Sequence, residues 1–346
     1  MMRLLFAVFL TFWIAIPVKA DTFMAPQVPA SGVEHMPEKT DSFGDALTEL
    51  IRKSLLQLRP DLQEAAEVCS VVILTAMLFG ILPVISEQLA TASEMAGAVA
   101  VSLVIFQHTN SMILLASETV REIFEYGKLL CQVMTAALAA QGGVTTSSAL
   151  YIGTTVFISV LGSLISKMII PMIYFFLAFA VANCALGDET LKKITDALKG
   201  IPHWLLKTLM IIFTTYMSVT GVVSGVTDLT ALKSAKVVFS SAVPVVGGIL
   251  ADSSESVLTG MAVIKNAAGT YGIIAVLAIF VGPFLKIGTH YLMIKVSALI
   301  CGALGNKRIS VLAEHLSAAM SLLLAAVASG CVLVLISTVC FLKGTG

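Results

Sequence analysis

The sequence predicts an all-α, polytopic integral membrane protein with about 8–10 transmembrane or re-entrant helices behind a cleavable signal peptide. Three observations carry this reading. Hydrophobic residues make up 58% of the 346-residue chain and charged residues only 12%, against about a quarter charged in soluble domains. The apolar residues gather into runs of the length a bilayer core demands. A leader-like amino terminus precedes them. Composition excludes a soluble enzyme, and a formal net charge of zero gives no sign of a nucleic-acid partner.

At the amino terminus, Arg3 supplies a positive n-region, residues 4–16 an apolar stretch, and Val18-Lys19-Ala20 a small-x-small cleavage site. About 13 apolar residues is short against the roughly 20 of a span, and a polar stretch with prolines follows. Cleavage after Ala20 is therefore expected in preference to an uncleaved anchor. The expected organisation is a signal peptide at 1–20, an exported linker and amphipathic helix at 21–67, and a multi-span membrane domain at 68–346.

Leu47, Leu50, Ile51, Leu55, Leu58 and Leu62 recur at helical spacing among Glu49, Arg52, Lys53 and Arg59. They predict an amphipathic helix, bent or ended near Pro60, that lies on the outer membrane surface, against a partner, or on the protein's own spans. Clear spans are expected at 68–86, 96–117, 149–166, 168–186, 204–226, 271–287, 289–304 and 318–342, with shorter apolar pieces at 129–141 and 237–251. The six cysteines, Cys69, Cys131, Cys184, Cys301, Cys331 and Cys340, all fall in apolar stretches without CxxC spacing, so they read as small core residues.

Charge asymmetry tests this layout. One basic loop holds Lys192, Lys193, Lys199 and Lys207, and another holds Lys307 and Arg308. The positive-inside rule wants both in the cytoplasm. Counting only the clear spans from an exported residue 21 puts the first loop on the wrong side. Letting both short pieces cross corrects it, which favours membrane penetration by 237–251. Two internal similarities stand beside this: Ala185-Leu186-Gly187-Asp188 with Ala303-Leu304-Gly305-Asn306, and the run from Leu82 with the run from Val243. Either chance or a true repeat accounts for them.

Ionisable groups within spans are costly and point to function. His108 falls near the middle of 96–117, and Lys286, His290 and Lys295 lie across 271–304. His108 and His290 are the candidate intramembrane polar residues, although most acids fall at span edges, where anchoring at the interface explains them. No GxxxxGK[ST], HExxH or GxSxG pattern occurs, so the chain carries no signature of a nucleotide, metalloprotease or hydrolase site. No catalytic residue, cofactor or metal is expected.

The segment 229–272 stays apolar yet fails as a span. Pro244 removes a backbone donor and Gly247 and Gly248 free the chain, so a helix should break here. A broken element facing the interior of an assembly, with Asp252 and Glu255 at its mouth, stands against a surface hairpin that docks a partner. The candidate functional residues are Pro244, Val245, Val246, Gly247, Gly248, Asp252, Glu255 and Lys265.

The run from Thr227-Asp228 through Lys236, the Pro244-Val245-Val246-Gly247 turn, Asp252, Glu255, Val263-Ile264-Lys265-Asn266 and Gly269 resembles the signature of the stage III sporulation protein AE family. A leader, an exported amphipathic segment and many spans to the carboxyl end match that family too. The resemblance implies a membrane subunit in the mother-cell membrane around the forespore of an endospore-forming bacterium. It also implies partners: other stage III sporulation A proteins, including a cytoplasmic ATPase and ring-forming proteins, and stage II sporulation protein Q across the intermembrane space. Together these form a channel or secretion-like complex, with this chain as a non-catalytic component. A stand-alone secondary transporter and a structural anchor that recruits ring proteins are the competing readings. A transporter would act alone in vesicles, and an anchor would tolerate polar substitution at Val245 and Val246.

Overall fold

The computed structural model describes the backbone of residues 26–37, 43–85, 87–242 and 247–344, and side chains over the same residues apart from 81–94 and 221–259. The predicted signal peptide lies outside the described residues. A short helix α1 (Ala30–Val33) precedes α2 (Phe43–Ile85), α3 (Glu87–Ala140) and α4 (Val144–Leu164). A π-helical turn (Ile165–Ile169) leads into α5 (Ile170–Leu186), and α6 (Glu189–Ala242), α7 (Gly247–Ala303) and α8 (Lys307–Lys343) complete the chain. No strand occurs among the described residues.

The apolar runs are helical as expected, but they are joined in ways their punctuation did not suggest. The expected spans 149–166 and 168–186 lie on one continuous helical element, Val144–Leu186. Pro171 has no N–H to give, and the widened π turn just before it accommodates the missing bond without breaking the helix. Likewise α7 passes through Pro283, joining 271–287 to 289–304, and α3 carries 129–141 as its last turns. Five helices among the described residues are long and apolar enough to cross a membrane: Phe43–Gly80, Met95–Ala140, Val144–Leu186, Gly260–Ala303 and Lys307–Lys343. Several of the expected runs share a helix, and the expected span 204–226 lies on α6, whose side chains from 221 onward are outside the described residues.

Pro60 does not end the amphipathic helix either. It lies within α2, which continues to Ile85 and packs along α7. The face that α2 buries also departs from the leucine stripe, of which Leu50 alone is fully buried. Ala46 and Leu50 pack on Ile274 and Ala278, and Ser54, Ala65, Val68, Val72 and Ala76 are buried further along α2, whereas Ile51, Leu55 and Leu62 are exposed. Small residues let α2 approach α7 closely, and close approach outweighs side-chain hydrophobicity where lipid offers no driving force of its own.

The centre of the bundle is α8, which contacts α3, α4, α5, α6 and α7. Its buried residues run its full length, from Ile309 through Leu316, Leu323 and Cys331 to Phe341. Five of the six cysteines are buried, Cys340 is half-buried, and all six are free.

The two similar tetrapeptides form matching turns. Gly187 (φ 72°) and Gly305 (φ 83°) take the left-handed conformation that favours glycine after a helix. The following Asp188 accepts from Thr190 N–H (2.6 Å), and Asn306 accepts from Ile309 N–H (3.4 Å), each capping the next helix. The Thr190 N–H holds the Asp188 carboxyl below the usual carboxylate range. The turns are neighbours. Arg308 donates to the carbonyls of Ala185 (2.7 Å) and Cys184 (3.3 Å), closing the end of α5. Asn306 also donates to Ala76 O (3.3 Å) on α2. Replacing Asn306 with alanine removes a cap and an interhelical bond together. The expected cost is about 2 kcal/mol, read as a lower unfolding midpoint in detergent, with Asn306→Asp retaining the cap alone.

Candidate functional site

The seam between α2 and α7 gathers most of the charge found within the apolar body. Because α2 runs straight through Pro60, it carries Asp61 and Glu64 alongside the middle of α7, where Lys286 and His290 stand one turn apart. α3 brings His108 to the same place. Lys286 Nζ donates to Glu64 Oε2 at 2.8 Å and lies 3.5 Å from Asp61 Oδ1. The other Glu64 oxygen, Oε1, faces His108 Nδ1 at 3.8 Å and His290 Nε2 at 3.9 Å. His290 is 1% exposed, and its Nε2 has no protein hydrogen-bond partner.

The register of the seam is fixed on both sides of this cluster. Ser297 donates to Cys69 Sγ (2.8 Å) and Asn306 to Ala76 toward one end, while Ala46 and Leu50 meet Ile274 and Ala278 toward the other. The segment around α1 then ties the helices together above it. Lys53 of α2 donates to Met36 O (2.8 Å), Gln57 of α2 to Glu34 (2.8 Å), and Ser31 to Glu122 of α3. At 1.5 Å per residue, His290 lies about 20 Å and Lys286 about 26 Å along α7 from its end at Ala303.

At that end the two basic loops converge. Lys192 and Lys199 of α6 and Lys307 and Arg308 of α8 line one cleft of about 520 Å³ with Asp188, Glu189, Asp196 and Glu314. Exposed charge reappears beyond the cluster in the opposite direction. Arg121 bridges Glu118 and Glu125 on the surface of α3, and Lys167 is exposed on the π turn.

The predicted site residues therefore separate into two groups. His108 and His290, far apart in sequence, meet at one carboxylate. Lys295, which the sequence grouped with them, is exposed and outside the cluster. Of the 229–272 segment, Pro244, Val245 and Val246 lie outside the described residues. Gly247, Gly248, Asp252 and Glu255 fall on the first turns of α7, where the backbone alone is described. α6 is described as far as Ala242 and α7 from Gly247, so the helix break expected at Pro244 lies outside the described residues. Lys265 is 4% exposed and lies about 31 Å along α7 from Lys286, so it belongs to a different level of the bundle. Asp61 and Glu64 were missed because the amphipathic helix read as a unit separate from the spans. Stepping back from Val72 through Val68 by four residues reaches Glu64, which was the available signal.

Among the described residues no group of His, Cys, Asp or Glu is arranged to hold a metal ion. The cluster can fasten α2 to α7 and can hold protons. Together the fold and its charged seam define an all-helical polytopic membrane protein with an ion-paired cluster inside its apolar body. The family model described as Stage III sporulation protein AE (spore_III_AE) matches residues 33–344, and the chain belongs to that family. It is 23% identical over 244 residues to Stage III sporulation protein AE of Bacillus subtilis (strain 168), a match covering 70% of this chain and 61% of that relative's length. No solved structure matches.

Proposed function

We propose that the chain is a non-catalytic membrane subunit of the channel or secretion-like complex between mother cell and forespore. In this reading it resides in the mother-cell membrane around the forespore. Its partners are a cytoplasmic ATPase, ring-forming stage III sporulation A proteins and stage II sporulation protein Q. The observation that carries the reading is the family match across residues 33–344, on a chain whose body is a bundle of apolar helices.

The bundle also suggests how the subunit sits. Val144–Leu186 is 43 residues of unbroken helix, about 64 Å long, against a hydrocarbon core of about 30 Å. Tilt of up to about 40° does not absorb that excess. The positive-inside rule assigns the end with Lys192, Lys199, Lys307 and Arg308 to the cytoplasm, so the excess length extends on the exported side. The exposed Glu118, Arg121 and Glu125 on α3 suit water there. If each long helix crosses once, α6 through its apolar run 204–226 included, both basic loops reach the cytoplasm without 237–251 entering the membrane.

Affinity capture of the tagged chain from sporulating cells tests the reading, with co-purification of the other stage III A proteins expected and their absence counting against it. The ionic cluster favours a second reading, a stand-alone secondary transporter. Purified alone into vesicles, a complex subunit is expected to move no solute, whereas accumulation driven by an imposed proton gradient would support the transporter.

A further inference from the structure

We propose that Glu64, His108 and His290 form a proton-binding site, in which one excess proton is shared among the carboxylate and the two imidazoles. The inference concerns the isolated chain and stands apart from its membership of any complex.

Geometry carries it first. The separations of 3.8 and 3.9 Å from Glu64 Oε1 to His108 Nδ1 and His290 Nε2 exceed a hydrogen bond but put both imidazoles within ion-pair range of one carboxylate oxygen. His290 Nε2, buried and without a protein hydrogen-bond partner, faces that oxygen. Burying an imidazole nitrogen unpaired is costly, and a proton shared with the carboxylate offsets that cost.

Charge carries it further. The groups facing the site are Asp61 and Glu64 from α2, His108 from α3, and Lys286 and His290 from α7. With both acids ionised, Lys286 protonated and both imidazoles neutral, the cluster holds one uncompensated negative charge. Net charge is expensive within an apolar body, and one added proton removes it. Access is graded to match. The Glu64 and His108 side chains are 36% and 39% exposed, while that of His290 is 2% exposed. Glu64 and His108 are therefore the open members of the site and His290 the enclosed one.

The test is ¹⁵N-histidine NMR of the full-length protein in lipid vesicles between about pH 5 and 8, with signals assigned by His108→Gln and His290→Gln. His108 and His290 are expected to titrate as a coupled pair that takes up one proton. Glu64→Gln removes the uncompensated charge and is expected to weaken proton uptake at this pair at least about tenfold. His108→Gln, at the more open position, keeps the charge balance and is expected to displace the His290 transition. It serves as the decisive variant if Glu64→Gln does not fold. Two imidazoles that titrate independently, or a His290 signal unmoved by either variant, would overturn the proposal.

Discussion

Replacing Gly127 with leucine is expected to destabilise the bundle by about 3 kcal/mol, read as a lower unfolding midpoint in detergent. Gly127 stands where α3 crosses α8. A Cβ built there meets Val334 Cγ2 at 2.7 Å and Cγ1 at 3.1 Å. Val334 is fully buried and β-branched, so its side chain has little freedom to turn aside, and the helices themselves must part. The crossing belongs to α8, which packs against α3, α4, α5, α6 and α7, so the displacement spreads through the core. Gly127→Ala alone makes the same Cβ conflict at a smaller cost, and adding Val334→Ala to it clears the conflicting methyls and is expected to regain much of that cost. A Gly127→Leu protein as stable as the wild type would mean that α3 and α8 do not cross here.

Lys286→Met is expected to cost about 2 kcal/mol. It removes the donor to Glu64 and the neighbour of Asp61, leaving two carboxylates at membrane depth without their lysine. The cluster is only partly buried, so the cost falls below that of a fully desolvated pair. Adding Glu64→Gln to Lys286→Met removes one of the unpaired charges and is expected to recover about half of it. Non-additivity of this kind is the signature of a direct pair, measured by a double-mutant cycle on unfolding midpoints. Strict additivity would mean that α2 is not held to α7 through Glu64. Lys295→Met, on an exposed position of the same helix, serves as the control and is expected to leave stability nearly unchanged.

Helical class and the location of apolar runs were legible because lipid leaves an apolar backbone few alternatives to the helix. The tetrapeptides at 185–188 and 303–306 were legible only as a similarity, although the turns they form have a local cause: a left-handed glycine followed by a capping side chain needs no tertiary partner. What escaped the sequence was continuity. Lys167, Pro171 and Gly288 look like punctuation, but α4 to α5 continues through a π turn and α7 through Pro283, since neighbouring helices support a backbone that a lone helix would break. The buried face of α2 escaped for a related reason. Periodic leucines mark an amphipathic face, but Ala46, Ser54, Ala65 and Ala76 give the closer helix contact. His108 and His290 could be singled out as costly polar residues within spans. That they meet at Glu64 depends on the register between α2 and α7, a tertiary fact with no local signature.

If the long helices each cross once, the turn between α3 and α4 lies on the exported side. Val144, exposed at the start of α4, can be replaced by cysteine in a background where the six native cysteines are changed to serine or alanine. A membrane-impermeant maleimide is expected to label Val144→Cys from the exported side, with Lys193→Cys labelled only from the cytoplasmic side as the reference. Labelling of Val144→Cys only from the cytoplasm would show that 129–141 makes a separate crossing, and would contradict the single-pass bundle.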